Sequence, residues 1–173
     1  MIGDDLPTRI VHYPDPVLRK KCAPVEVFDE HLAALAARML ELMKAHNGVG
    51  LAGPQVGIPR RIFVCNPTGE PQDDLVFINP ELSDLIGTIE AEEGCLSLPE
   101  VRVLVRRAHQ CKLNAFDLSG QPIECASQDL PARIWQHELD HLDGRLIIDR
   151  MTATDKIANK KLIAQLEAEY RKA

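Results

Sequence analysis

The clearest pattern of apolar positions lies between residues 29 and 47, where it follows the spacing of a helix. Apolar residues recur there at intervals of three and four positions, which places them on one helix face. They are Leu32, Leu35, Ala36, Met39, Leu42 and Met43. Asp29 is suited to cap the first turn, and Asn47 with Gly48 is a typical stop. The pattern predicts a helix with one buried face.

The middle third of the chain has the pattern of β-strands. Runs of β-branched and apolar residues, bounded by Pro, Gly and Asn, predict strands over residues 61–66, 75–79 and 85–92. Two further segments, 110–117 and 122–129, alternate apolar and polar residues. The turn Leu118-Ser119-Gly120-Gln121 between them predicts an antiparallel hairpin.

Two more helices are predicted in the last third. One begins near Pro131, since proline is tolerated in a first turn, and ends at Gly144. The other covers residues 154–171 and buries Leu162, Ile163, Leu166 and Tyr170. Four prolines within residues 1–27 predict an extended segment with at most one short helix. The order of elements favours an α+β fold in which antiparallel sheets pack around the second helix.

Composition indicates a folded protein with a core of ordinary size. The chain has 173 residues, of which 45% are hydrophobic and 27% charged, so a single domain over residues 1–173 is expected. A net charge of −6 argues against DNA binding. The sequence has no long apolar run and no signal-peptide pattern at its start, so we expect a cytoplasmic protein that does not bind membranes.

The sequence His137-Glu138-Leu139-Asp140-His141 carries the strongest chemical signal. Four residues advance a helix by about 400° and about 6 Å, so both imidazoles project from one face. They are then placed to bind one divalent metal, while Glu138 lies about 100° round the helix and can reach a water molecule. Two ordinary surface histidines are the alternative, but apolar neighbours such as Trp135 indicate a buried helix.

A catalytic metal usually has three protein ligands, and the third is expected upstream. The acidic residues after His141 are poorly placed, and no further histidine follows it. Cys95 follows Gly94 in Glu93-Gly94-Cys95-Leu96-Ser97, and an isolated cysteine there would otherwise be a small buried apolar residue. Because the two-histidine site is incomplete, Cys95 is the candidate third ligand.

A glycine-rich loop, Gly48-Val49-Gly50-Leu51-Ala52-Gly53-Pro54-Gln55, is predicted to follow the first helix. It lacks the lysine and hydroxyl of a phosphate-binding loop, and no strand precedes it. Its glycines favour close approach of the main chain to a peptide-like ligand, with Gln55 as a neutral donor. An ordinary helix stop and turn is the alternative.

These three segments together resemble the motifs of the peptide deformylase family. GVGLAGPQ is similar to that family's glycine loop, EGCLS to its second motif and QHELDH to its third. About 40 residues separate each motif from the next, and the resemblance extends over residues 10–151. Gly53 departs from the alanine common in the family, and a slight loosening of the loop is expected.

The resemblance implies a hydrolase that removes the formyl group from the N-terminal formyl-methionine of new polypeptides. It implies that Cys95, His137 and His141 bind the metal, with water in the fourth position. It further implies that Glu138 is the acid/base. Gln55 and the backbone N–H of Leu96 would hold the oxyanion, and Gly50 would contact the substrate through its main chain. Fe(II) is the metal expected in cells, with Zn(II), Ni(II) or Co(II) as alternatives.

The substrate contacts are expected on the same helix face and the glycine loop. Leu130 and Ile134 precede the two histidines at helical spacing, so with Val49 they predict an apolar wall for a methionine side chain, besides a role in the core. The resemblance places Arg102 near the peptide backbone of the substrate.

Two other functions and one partner remain open from the sequence. A zincin-like metallopeptidase would take its third ligand after His141, and an electron-transfer or metal-storage module would use the same two histidines and cysteine but give Glu138 no task. The predicted last helix carries a basic face with Lys160 and Lys161, which is either solvated or docks on the ribosome near the exit tunnel.

Overall fold

The computed structural model describes residues 6–172, which form three α-helices and seven β-strands. The helices are α1 (Glu30–Ala45), α2 (Asp129–Leu142) and α3 (Ala153–Tyr170). The strands are β1 (Gly50–Ala52), β2 (Ile62–Cys65), β3 (Leu75–Ile86), β4 (Ile89–Cys95), β5 (Leu98–Arg107), β6 (Gln110–Phe116) and β7 (Pro122–Gln128). The predicted α+β class is confirmed. None of the helices in this part of the chain is long and apolar enough to span a bilayer.

Two antiparallel sheets surround α2, as predicted. The larger sheet has the order β1-β2-β3-β6-β7, and the smaller one is the β4-β5 hairpin. Apolar side chains of α2, among them Trp135 and Leu142, share a core cluster with Phe63 and Phe77 of the larger sheet. The opposite, polar side of α2 faces the hairpin, where Arg133 donates to the carbonyl oxygens of Ile89 and Ala91 at 3.2 and 3.3 Å. The central helix is therefore covered on both sides.

The helices and the β6-β7 hairpin confirm most of the elements predicted from the apolar pattern. All six apolar residues of the predicted stripe are buried in α1, and the Asp29 carboxylate accepts a hydrogen bond from the N–H of Leu32 at 3.0 Å. Strands β6 and β7 pair in register around a turn in which Asp117 accepts hydrogen bonds from Ser119 and Gln121. Helix α2 begins two residues before Pro131 and is followed by Gly144, whose φ is 73°.

The strands between residues 75 and 107 correct the prediction. The strand predicted over 85–92 is wrong, because the chain reverses at Gly87 (φ 67°) and divides that segment between β3 and β4. Strand β3 continues past Pro80 by means of irregular pairing with β6. Strand β5 was not predicted, although its residues alternate between buried and exposed over most of its length. The exposed Leu104 and the buried Arg107 interrupt its otherwise regular apolar–polar pattern.

The glycine loop is more ordered than the sequence indicates. Residues 50–52 form β1 at the edge of the larger sheet, and Gly53–Val56 is a turn of 3₁₀-helix, all of it buried. A Cβ at Gly53 would lie 2.6 and 2.7 Å from the carbonyl oxygens of Ile58 and Arg60. The packing is therefore tight at the position where a loosening was expected.

The two ends of the described chain pack on the smaller sheet. The described part of residues 1–27 contains a single short helix, the 3₁₀ turn Pro16–Arg19, as predicted; residues 1–5 lie outside that part. In α3, Leu162, Ile163 and Leu166 pack against the core cluster around β5. Tyr170 was placed on the buried side wrongly, because it is 43% exposed in the last turn.

We predict that Gly53→Ala lowers the free energy of unfolding. The added methyl group meets two backbone carbonyls that cannot rotate away, and overpacking of this kind costs about 1–3 kcal/mol. Urea unfolding followed by circular dichroism measures the change. An unchanged midpoint would show that the segment 58–60 gives way without cost.

Candidate metal centre

His137 and His141 lie one turn apart on α2 and direct ring nitrogens toward one point. Their Nε2 atoms are 3.2 Å apart. Cys95 is the last residue of β4, and its Sγ lies 3.3 Å from Nε2 of His141. The three donor atoms lie within 4.8 Å of one another. The structure thus brings together the three ligands that the sequence predicts, one from strand β4 and two from helix α2.

The distances between these donor atoms fit a single tetrahedral metal ion. Nitrogen ligands at about 2.0–2.1 Å and a sulfur ligand at about 2.3 Å from such an ion lie about 3.3–3.6 Å from one another. The observed nitrogen–nitrogen and sulfur–nitrogen distances of 3.2 and 3.3 Å agree with this spacing. Three protein ligands leave one position for water or substrate, which is the arrangement of a catalytic metal.

The charges around the two histidines favour a cation at the same point. Burial lowers the pKa of His137, but hydrogen bonds with Cys95 and Glu93 outweigh it and raise the pKa to about 10. Burial and the neighbouring His137 hold the pKa of His141 well below its usual value, so this imidazole keeps a free electron pair. A metal ion bound here would take the place of the proton on His137, so its binding would release that proton.

Glu93 determines which nitrogen of His137 faces the metal position. Its Oε2 lies 3.1 Å from Nδ1 of His137, which leaves Nε2 directed at the other ligands. Arg107 donates to both carboxylate oxygens at 2.7 and 2.8 Å, and Arg133 donates to one of them at 2.6 Å. Burial raises the pKa of Glu93, but hydrogen bonds with His137 and Arg107 outweigh it and lower the pKa to about 2. Glu93 is therefore a fixed, ionised acceptor.

Glu138 follows His137 in the sequence, and its side chain is buried. The residue is 3% exposed, and burial raises the pKa of its carboxyl to about 7. One of its oxygens, Oε2, accepts no hydrogen bond from any described residue. A Cβ at Gly50 would lie 2.2 Å from the other oxygen, so only glycine lets β1 approach this closely. A buried carboxyl with a free oxygen and a pKa near neutrality is suited to accept and return a proton.

Gln55 presents its amide group to the third ligand. Its Oε1 accepts a hydrogen bond from the N–H of Ala52 at 2.8 Å, which orients the side chain. The NH₂ group then lies 3.5 Å from Cys95 Sγ and 3.1 Å from Ser97 Oγ. The glycine loop therefore delivers a buried, oriented donor to the metal position, as the functional interpretation of that loop requires.

These groups open into one cavity of about 670 Å³. All the predicted site residues except His141 line it: Val49, Gly50, Gln55, Cys95, Leu96, Arg102, Leu130, Ile134, His137 and Glu138. Ile134 also belongs to the core, whereas Val49 and Leu130 are 45% and 49% exposed and leave apolar surface free. The Arg102 guanidinium lies over Gly94, with Nη1 1.6 Å from where a Cβ would stand.

Sequence reasoning missed the residues that hold the ligands. Glu93 lies within a quoted motif, yet its role follows only from its contact with His137. Arg107 could not be placed because β5 was not predicted. Ser97 and Arg133 contact Gln55 and Glu93, and no spacing in the chain connects those pairs. The sequence offered one signal for these residues, the acidic Glu93 two positions before the candidate ligand Cys95.

Comparison with known proteins identifies the family. The family model described as polypeptide deformylase matches residues 7–157. A peptide deformylase of Thermotoga neapolitana is 41% identical over 164 residues, covering 94% of this chain and 98% of its own. Peptide deformylase 1B of Arabidopsis thaliana, chloroplastic/mitochondrial, is 39% identical over 96% of this chain, and the chain spans 62% of that protein's length.

Solved structures agree over nearly the whole chain. A crystal structure of a plant peptide deformylase superimposes with a TM-score of 0.95 at 37% identity and covers 99% of this chain and 95% of its own. The peptide deformylase of Thermotoga maritima gives a TM-score of 0.81 at 43% identity, covering 86% and 99%. With sequence, fold and cavity in agreement, this chain belongs to the polypeptide deformylase family, whose members are metal-dependent enzymes that remove the N-formyl group from nascent polypeptides.

Proposed function

We propose that Cys95, His137 and His141 hold one divalent metal ion, Fe(II) in cells, with which this chain deformylates formyl-methionyl peptides. The convergence of these three donor atoms in a cavity beside the buried Glu138 carries the proposal. Two imidazoles and a thiolate suit Fe(II) as well as Zn(II), Ni(II) and Co(II). When bound, the metal supplies a Lewis acid that polarises the formyl carbonyl and acidifies a water molecule.

The cavity sets the position of the substrate in this proposal. Val49, Leu130 and Ile134 form an apolar wall that accepts the methionine side chain. The Arg102 guanidinium lies over Gly94, which precedes Cys95, and is placed there to donate to a peptide carbonyl. An unbranched apolar side chain thus enters the cavity while the formyl group meets the ligand cluster.

In this proposal Glu138 transfers the proton, and Gln55 stabilises the negative charge that develops on the formyl oxygen. Glu138 takes a proton from the attacking water through its free oxygen and returns it to the departing amine. The amide NH₂ of Gln55 and the backbone N–H of Leu96 donate to the formyl oxygen as it becomes negative. Gly50 supplies main-chain contact to the substrate, and its missing side chain leaves space for Glu138.

Neither of the other functions that the sequence leaves open is favoured. A zincin-like peptidase needs a ligand after His141, but the first acid there, Asp143, pairs with Arg61 at 2.9 Å on the outside of α2. An electron-transfer module gives no reason to bury Glu138 with an unpartnered oxygen next to the ligands. Formyl hydrolysis is compatible with Cys95 as the third ligand and gives the buried Glu138 a role as the proton acceptor.

Metal analysis of anaerobically purified protein, combined with a formate-release assay, tests the proposal. We expect about one equivalent of iron and turnover of formyl-Met peptides, with no cleavage of the same peptides lacking the formyl group. Cleavage of internal peptide bonds, or a protein without bound metal, would overturn it. The five free cysteines among the described residues are consistent with work in a reducing compartment such as the cytoplasm.

We predict that Cys95→Ala loses the metal. The variant lacks the sulfur ligand, so Co(II) binding should weaken by orders of magnitude and the intense near-ultraviolet thiolate absorption of the cobalt protein should vanish. Absorption titration measures both. Cys111→Ala is the matched control, since Cys111 is buried in the core of the larger sheet and should bind cobalt as the parent does.

We predict that Glu138→Gln keeps the metal but loses turnover. The amide matches the carboxyl in size yet cannot accept the proton from water, and such general acid–base help accounts for a factor of about 10²–10⁴. Formate release and metal content are measured on the same preparation. Near-parental turnover with full metal content would show that another group moves the proton.

The outer face of α3 is proposed as a ribosome-docking surface. Lys156, Lys160 and Lys161 are exposed on one side of the helix and form no ion pair with a described carboxylate. The acids of α3 are engaged elsewhere: Asp155 caps the helix through Thr152, Glu167 accepts from Tyr13 at 2.9 Å, and Glu169 accepts from Gln165 at 2.9 Å. The three lysines therefore face outward without compensation, which suits contact with ribosomal RNA phosphates.

We predict that Lys160→Glu with Lys161→Glu weakens co-sedimentation with ribosomes at low salt. Each lost phosphate contact lowers the slope of log affinity against log salt by about one, so the slope should fall by about two. Charge reversal is preferable to removal of α3, because removal uncovers Leu162 and Leu166. Lys20→Glu with Lys21→Glu is the charge-matched control. Equal pelleting of the helix variant and this control would contradict docking through α3.

A further inference from the structure

We propose that Arg150 is a positioning residue for the metal centre, although it touches neither metal ligands nor substrate. Its ion pair with Asp140 keeps Arg107 on Glu93 and thereby fixes the imidazole of His137. This inference rests on the metal site proposed above and names a residue outside the cavity that sets its geometry.

The first link is the ion pair between Arg150 and Asp140. Asp140 lies on α2 between the two histidine ligands but on another side of the helix. Arg150, in the short turn Ile147–Arg150 after α2, donates Nε and Nη2 to the two oxygens of Asp140 at 2.7 and 2.6 Å. A two-pronged contact of this kind fixes both distance and orientation. The chain after α2 is thereby tied back onto the helix.

The second link is Arg107, which is shared between two carboxylates. Its Nη1 donates to Asp140 at 2.9 Å, while Nε and Nη2 donate to Glu93 at 2.7 and 2.8 Å. The Arg107 side chain is 1% exposed, so water cannot replace either partner. One buried guanidinium therefore joins α2 to the strand that ends in Cys95.

The third link is the contact of Glu93 with Nδ1 of His137. It orients the imidazole, and groups that hold a ligand from outside in this way commonly change metal affinity by about 10–100-fold when removed. Arg150 acts three contacts further out than Glu93, through Asp140 and Arg107, so an effect near the lower end of that range is expected.

The charges show why loss of Arg150 reaches His137. The network contains three guanidinium groups, of Arg107, Arg133 and Arg150, and two carboxylates, of Glu93 and Asp140. Without Arg150, the buried Asp140 carboxylate keeps a single donor, Nη1 of Arg107. A buried carboxylate short of donors draws the shared guanidinium toward itself. Glu93 then loses part of its two-pronged contact, and the orientation of His137 loosens.

A matched control lies at the same end of α2. Arg61 pairs with Asp143 at 2.9 Å, one turn of the helix from Asp140, but Asp143 makes no contact with the network around Glu93. Both arginines therefore anchor the end of α2 to another part of the chain. Of these two arginines, only Arg150 is connected to a proposed metal ligand, through Asp140, Arg107 and Glu93.

The experiment measures cobalt binding to the full chain as Arg150→Gln, Arg150→Lys and Arg61→Gln. Chelator competition gives the Co(II) dissociation constant, and visible absorption bands report the geometry of the ligands. We expect Arg150→Gln to weaken binding by about 10-fold and shift the bands, with partial recovery in Arg150→Lys. Arg61→Gln should lower the thermal midpoint while leaving affinity and bands unchanged.

A second background shows whether the effect passes through Asp140. In Asp140→Asn, the further change Arg150→Gln should add nothing. Parental cobalt affinity and bands in Arg150→Gln, or the same loss with and without Asp140, would overturn the inference. If Asp140→Asn does not fold, the comparison of glutamine with lysine at position 150 decides. A parent chain that binds no cobalt would instead overturn the proposed metal site itself.

Discussion

The contact between Glu93 and His137 is the interaction on which the rest of the site depends. Cys95 comes from β4 and the histidines come from α2, so the relation between a strand and a helix must be held to a few tenths of an ångström for one ion to reach all three. Glu93, two residues before Cys95, supplies that relation because it contacts His137 directly and Arg107 and Arg133 from two sides. A buried carboxylate is costly to desolvate, and here three donors offset the cost.

Close approach of backbone to side chain is the second condition, and two glycines provide it. At Gly50, the strand passes so near Glu138 that a methyl group would overlap the carboxylate. At Gly94, the guanidinium of Arg102 occupies the space where a side chain would stand. Both glycines line the candidate cavity, so the absence of two Cβ atoms lets the Glu138 carboxylate and the Arg102 guanidinium approach the backbone there. Here glycine is a requirement of packing rather than of backbone conformation.

The parts of this molecule that could be predicted from sequence are those in which the local pattern of residue types reflects burial or exposure. The apolar stripe of α1, the alternation of β6 and β7 and the histidine spacing of α2 each reflect a local period, and all three are confirmed. Strand β5 was not predicted because Leu104 on its exposed side and Arg107 on its buried side break the alternation. Arg107 is the sharpest case: a charged side chain normally indicates solvent, yet this one is buried because its partners come from other elements. Pairings of that kind depend on the finished fold.

Helix α2 explains why so many buried charges are gathered in one small protein. Its apolar side, with Trp135, packs on the larger sheet, while its second side presents His137 and Glu138 to the cavity. The third side carries Arg133 and Asp140, which would be unpaired in the interior without partners. Because α2 is central and largely buried, its charged side chains need partners of opposite charge from the surrounding strands and turns. Glu93 of β4 pairs with Arg133, and Arg107 of β5 and Arg150 of the turn after α2 pair with Asp140. The charge network of the candidate site thus extends to two arginines that do not line the cavity.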